Sequence, residues 1–153
     1  GSQGGRPYLL VDFAAKKGLE VEDDYPYTAK DGNCQYEKEK AVAVAKGYKT
    51  VAKTAKQLKT ALVSSPVSVC VQADEDVFQF YKSGVVRRNC GARINHAVLA
   101  VGYQKVGIDE AYIVKNSWGT SWGADGYIYL GTEGLANLGK GVCGILTNAV
   151  IAK

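Results

Sequence analysis

The feature that most limits what this chain can fold into lies in its second half, where short apolar or aromatic runs recur between glycines and turn residues. They are "PVSVCVQA" (66–73), "HAVLAVGY" (96–103), "AYIVKNSW" (111–118) and "GYIYLG" (126–131). Runs of this length, rich in Val, Ile and Tyr, read as strands, so this half forms a sheet or barrel. The Gly-rich stretch "GTEGLANLGKGVCG" reads as a long loop before a last short strand in "ILTNAVIA". The first half carries a different period. "PYLLVDFAAKK" (7–17) sets Leu10, Phe13, Ala14 and Lys17 at helical spacing, with Pro7 suited to the first turn and Gly18 to the stop. "DDYPYTAKDGNCQYEKEK" follows as a tyrosine-rich ordered surface loop, and "TAKQLKTALVSS" is a second short helix. The fold class is α+β.

Composition narrows the function classes. The 153 residues are 46% hydrophobic and 22% charged, a globular balance, and the net charge of +4 comes from scattered Lys and Arg with no basic stripe. A nucleic-acid partner is not expected. No apolar run approaches the ~20 residues that span a bilayer, so no membrane partner is expected, and residues 1–20 lack signal-peptide regions. Cys34, Cys70, Cys90 and Cys143 form no C-x-x-C pair, and one histidine completes no zinc pattern. No metal or other cofactor is expected. Spacing alone leaves three disulfide pairings open and does not exclude free thiols.

The single histidine, His96, opens "HAVLAVGY", while Asn116 and Trp118 follow "AYIVK" in "KNSWGTSWG". If the two runs pair as an antiparallel hairpin through "QKVGIDE", His96 and Asn116 meet. An imidazole that serves as base for a thiol needs a fixed ring, and an amide oxygen accepting its second N–H supplies that without a charge. Trp118 could cover the bond against water. Cys70, in the alternation "VSVCV", reads as a small buried hydrophobe and not as the nucleophile.

These segments, with "GSQGGRPY", "DDYPYTAKDGNC", "FQFYKSGVV", "CGARINHAVLAVGY", "YIVKNSWGTSWGADGYI" and "GVCGI", resemble in order the C-terminal two-thirds of papain-family, cathepsin L-like cysteine proteases. The resemblance implies a papain-like fold: an antiparallel β-barrel domain bearing His and Asn over 46–153, and an incomplete helical domain over 1–45. It implies His96 as general base and acid, Asn116 as its orienting group and Trp118 as their shield. It implies contact with substrate for Gly4, Gly5, Pro7, Cys70, Ile94, Asn95, Ala97, Trp118, Trp122 and Asn148. It implies a Cys90–Cys143 disulfide, and for Cys34 a partner upstream.

The family's nucleophile motif, C-G-[SA]-C-[WY], is absent here; its usual spacing puts the cysteine about 34–54 residues before Gly1. The glutamine of the oxyanion hole would lie further upstream. The expectation is therefore a C-terminal portion of a thiol endopeptidase, inactive alone, whose partners are the N-terminal segment of the same protease and peptide or protein substrates. Cystatin-like inhibitors or its own propeptide are further partners that the resemblance implies. The compartment would be lysosomal, vacuolar or secreted, as for zymogens of this kind. The alternative is a non-catalytic homologue, or an isolated recombinant fragment, that binds peptides or a partner.

Overall fold

A computed structural model describes residues 4–51, 53–133 and 135–153. It divides into two compact units, Gly1–Lys49 with Ala152–Lys153, and Thr50–Ile151.

In the first unit, helix α1 spans Pro7–Lys17. Pro7 pre-sets the first-turn backbone, and Gly18, at φ 85°, ends the helix with its N–H donating to the Ala14 carbonyl at 3.0 Å. A side chain at Gly18 would also press on Ala41, so both conformation and space call for glycine. Lys16 and Lys17 sit in the last turn, where cations oppose the helix dipole. The buried face is narrower than the periodicity suggests. Ala14 is buried and Phe13 meets Tyr36 edge-on at 5.4 Å, but Leu9 and Leu10 stay more than half exposed. The following loop is tied by its tyrosines: the Tyr25 hydroxyl accepts from the Gln35 N–H at 2.9 Å, and the Tyr36 hydroxyl donates to the Lys17 carbonyl.

The second unit holds the core. Helix α2 (Ala55–Ser64) starts where the Thr54 hydroxyl caps the Gln57 N–H at 3.3 Å, and it turns Leu58 and Leu62 inward over the sheet. Along the whole chain the strands are β1 (Tyr48–Thr50), β2 (Val67–Val71), β3 (Val85–Val86), β4 (His96–Val106), β5 (Asp109–Lys115), β6 (Tyr127–Gly131) and β7 (Ala149–Ala152), with a short helix α3 (Asp76–Gln79) between β2 and β3. Their order is β1-β7-β2-β4-β5-β6-β3. Val67, Val69 and Val71 of β2 are fully buried while Ser68 and Cys70 between them are half-buried, the alternation expected of a sheet with one face on the core.

The sheet departs from the expected antiparallel barrel in two respects. β3 lies parallel to β6, so the sheet is mixed, and its order has two edges. The 87–95 segment allows this, because it carries the chain from β3 at one edge to β4 in the middle of the sheet without reversing it. That segment is pinned by the Cys90–Cys143 disulfide, which joins it to the turn Val142–Gly144; both cysteines are buried. Asn137 adds a clasp by donating to the carbonyls of Cys90 and Gly141, each at 2.9 Å. Cys34 is a free exposed thiol and Cys70 a free half-buried one.

The disulfide closes a loop with a sequence separation of 53, which in the chain-entropy picture contributes about 4 kcal/mol. Cys90→Ala/Cys143→Ala is expected to lower the unfolding free energy in denaturant by roughly that amount, and non-reducing peptide mapping should recover the 90–143 cross-link.

Candidate active site

His96 is the first residue of β4 and pairs with Val71 of β2. Because side chains alternate along a strand, it shares a face with Val98 and Ala100, which are buried. At the strand's beginning that core face runs out, and the half-buried imidazole emerges at its margin.

Asn116 follows the last residue of β5. The β4–β5 hairpin turns through Gly107 and Ile108 alone, with Gly107 at φ 63°, and "QKV" and "DE" belong to the strands themselves. From the turn the pairs run Val106↔Asp109 to Gly102↔Ile113; then the register shifts, and Ala100 faces Val114. Val101 is the extra residue of a β-bulge. With a regular ladder through Val101, Asn116 would oppose Leu99 and point away from the His96 face. With the bulge, extension of the Ala100↔Val114 register sets Asn116 opposite Val98, on the face that His96 occupies.

The two side chains meet at 2.8 Å between His96 Nε2 and Asn116 Oδ1. The same Oδ1 accepts the Ser117 backbone N–H at 2.8 Å. A backbone N–H can only donate, so the amide atom facing it is the oxygen, and an oxygen facing Nε2 can only accept. The Nε2 proton is therefore fixed toward Asn116, and in the neutral ring Nδ1 is left as the basic nitrogen. Asn116 is buried, and its Nδ2 has no hydrogen-bond partner among the described residues.

Trp118 stacks on the imidazole with ring centres 5.2 Å apart and planes at 26°. It is held edge-on by Phe78 at 5.7 Å and by Trp122 at 5.3 Å. Phe78 is fully buried, and Trp122, at 9% exposure, donates its indole N–H to the Gln79 carbonyl at 2.9 Å. Trp122 thus stands in the core behind Trp118. Burying the Nε2–Oδ1 bond under an indole strengthens it by removing competing water.

The other sequence-selected residues fall into two groups. Cys70, Ala97 and Asn148 are brought together by strand pairing: Cys70 pairs with Ala97, and the Cys70 N–H donates to the Asn148 carbonyl at 3.0 Å. Burial pushes the Cys70 thiol up from its usual range, which disfavours a thiolate there. Ile94 is half-buried near Gly144. Asn95 is exposed; its Oδ1 accepts the Ala73 N–H at 2.8 Å, and its N–H donates to the Val71 carbonyl at 3.0 Å, fixing the backbone just before His96. Gly4, Gly5 and Pro7 belong to the first unit. Gly4 has φ 77°, and a Cβ at either glycine would meet nothing within 4 Å.

Two supports were not legible from motifs. Phe78 looked like one more apolar residue, and its place under Trp118 depends on tertiary packing. Gln72 is buried, accepting the Arg93 N–H at 2.7 Å and donating to Glu75 at 2.8 Å, which braces the segment leading into β4. Phe78→Ala should cost about 3–5 kcal/mol and loosen Trp118. Denaturant titration with tryptophan emission checks both, a red shift in the folded state being the expected sign.

Three comparisons place this geometry among known proteins. The family model described as papain family cysteine protease matches residues 1–153. The oryzain beta chain of Oryza sativa subsp. japonica is 40% identical over 148 residues, covering 95% of this chain and 31% of the relative. The cathepsin L-like proteinase of Fasciola hepatica is 41% identical over 153 residues, covering 97% of this chain and 45% of the relative. The bromelain protease of Ananas comosus, solved in complex with the E64 inhibitor, matches with a TM-score of 0.89 at 34% identity, covering 99% of this chain and 70% of that one. The chain thus spans less than half the length of these two curated relatives. With its whole length matched in sequence and fold, the chain belongs to the papain family of cysteine proteases.

Proposed function

We propose that this chain is the base-bearing C-terminal portion of a thiol endopeptidase, with the nucleophilic cysteine supplied by an N-terminal segment of the same protease. The observation that carries the reading is the shielded His96–Asn116 bond, which leaves Nδ1 as the basic nitrogen. A thiol brought to Nδ1 gives up its proton, and the resulting ion pair of thiolate and imidazolium is the reactive state. The thiolate attacks the peptide carbonyl carbon, the C–N bond breaks as the tetrahedral adduct collapses, and His96 protonates the departing amine. His96 then takes a proton from water as water attacks the acyl-sulfur carbon, and the thiol is released. Asn116 holds the ring through both halves of the cycle. Gly4, Gly5, Pro7, Cys70, Ile94, Asn95, Ala97, Trp118 and Asn148 are the substrate contacts of this reading, and Trp122, which the resemblance also implied, supports Trp118 from the core. No metal or organic cofactor enters these steps.

The buried disulfide suits a lysosomal, vacuolar or secreted enzyme, since such bonds persist in oxidising compartments. A zymogen held by its own propeptide, and later by cystatin-like inhibitors, belongs to the same reading.

On this reading the isolated chain cleaves no peptide, because its one half-buried thiol, Cys70, is biased toward the neutral form. A purified sample whose peptidase activity disappears in Cys70→Ala would contradict this assignment. Addition of the nucleophile-bearing segment should create turnover of an extended peptide. His96→Ala should then lower kcat about 100–10,000-fold, the usual contribution of a positioned acid–base group. Asn116→Ala should lower it less, because the imidazole remains and only its orientation is lost. Full turnover in His96→Ala would refute the mechanism.

A further inference from the structure

A depression beside His96, built wholly from the second unit, has walls that the acid–base chemistry does not use. Asp74, Gln79, Phe80, Asn95 and Trp118 line it together with His96. Phe80 is 71% exposed and Trp118 42% exposed, large apolar surfaces to find next to the His96–Asn116 pair. Trp118 gives one ring face to His96 and edge contacts to Phe78 and Trp122, and its remaining surface borders the depression. Asp74 is the one carboxylate in this lining among the described residues. Hydrogen bonds from Asn95 and Gln72, with a smaller one from Arg93, hold its carboxyl below the usual range. Its ion-pair partner, Arg93, reaches it at 3.3 Å with a side chain that is 85% exposed, so the pairing is easily exchanged for another cation.

We propose that Asp74, with Phe80 and Trp118, selects lysine or arginine as the first residue after the scissile bond. The proposal rests on the reading of His96 as the group that protonates the leaving amine. That nitrogen belongs to the residue in question, so once it is within proton-transfer reach of His96 its side chain must lie among His96's own neighbours. The depression combines the two features a long cationic side chain uses: aromatic surface for its aliphatic stem and charge, and an anion at the end. A glutamate in the same place would face Asp74 with like charge. A purely apolar residue would gain little burial in a depression that is open to solvent.

The test uses the protease assembled with its nucleophile-bearing segment and a peptide series that differs only at the first residue after the cut: Lys, Arg, Gln, Leu and Glu. The expected kcat/KM for Lys and Arg exceeds that for Gln about three- to tenfold, with Glu lowest, and the gap narrows at high salt. Asp74→Asn should bring the Lys-to-Gln ratio close to one, Asp74→Lys should invert the order of Lys and Glu, and Arg93→Gln should raise the Lys-to-Gln ratio by freeing Asp74. A ratio near one in the wild type, or a ratio that survives Asp74→Asn, overturns the proposal. A peptide with a fluorogenic amine as leaving group separates this from the underlying mechanism. If that substrate is turned over, and His96→Ala abolishes its turnover, a flat peptide series rejects the basic preference alone. Absence of turnover of every substrate rejects both.

Discussion

One surplus residue in β4 governs what the sheet presents at its margin. A hairpin with a two-residue turn fixes which residues of β4 and β5 oppose each other, and strand alternation then fixes their faces. Val101 breaks that count once, and by breaking it puts Asn116 on the face of His96. The rest of the site follows from this pairing. Ser117 orients the amide, the amide orients the ring, and Trp118 lies over the ring. Beneath Trp118, Phe78 and Trp122 form an aromatic pillar whose position is secured by core burial and by the bond to Gln79.

The arrangement has a cost that the proposed function would explain. Asn116 is buried and its Nδ2 meets no acceptor among the described residues; a buried donor left without any acceptor costs about 1–3 kcal/mol. A core residue chosen for stability alone would not be an asparagine with this environment. What the asparagine supplies is a neutral acceptor at a fixed distance from Nε2, so the ring is held in one tautomer. Such preorganisation is the usual reason for a locally unfavourable residue at a reactive site.

Much of this was legible in the sequence because the deciding forces are local. Pro7 and Gly18 bound α1 through backbone geometry, and the alternation in "VSVCV" is repeated in the burial of β2. The meeting of His96 and Asn116 was legible as well, from two strands and a turn. Long-range packing supplied what was not. "QKVGIDE" looked like a connection because its polar residues hide strands that project past the core, and the bulge at Val101 leaves no mark in an apolar run. β3 is only two residues long, too short for any periodicity, so the parallel edge could not be read. The disulfide pairing came from resemblance, since spacing left three choices. Leu10 shared the helical apolar spacing of Ala14, yet Leu10 is exposed and Ala14 buried. Asp74 and Phe80 stood out only once the depression beside His96 was visible.

His96 is the only histidine among the 153 residues, so its ring nitrogens can be observed without assignment ambiguity. The most direct measurement is the nitrogen-15 NMR spectrum of the labelled chain at a pH where the imidazole is neutral. Protonated Nε2, with a slowly exchanging proton, and unprotonated Nδ1 are the expected pattern, and Asn116→Ala should abolish it. A ring protonated at Nδ1, or one that averages both tautomers in the intact chain, would contradict the claim that Asn116 holds His96 ready to accept a proton from a thiol.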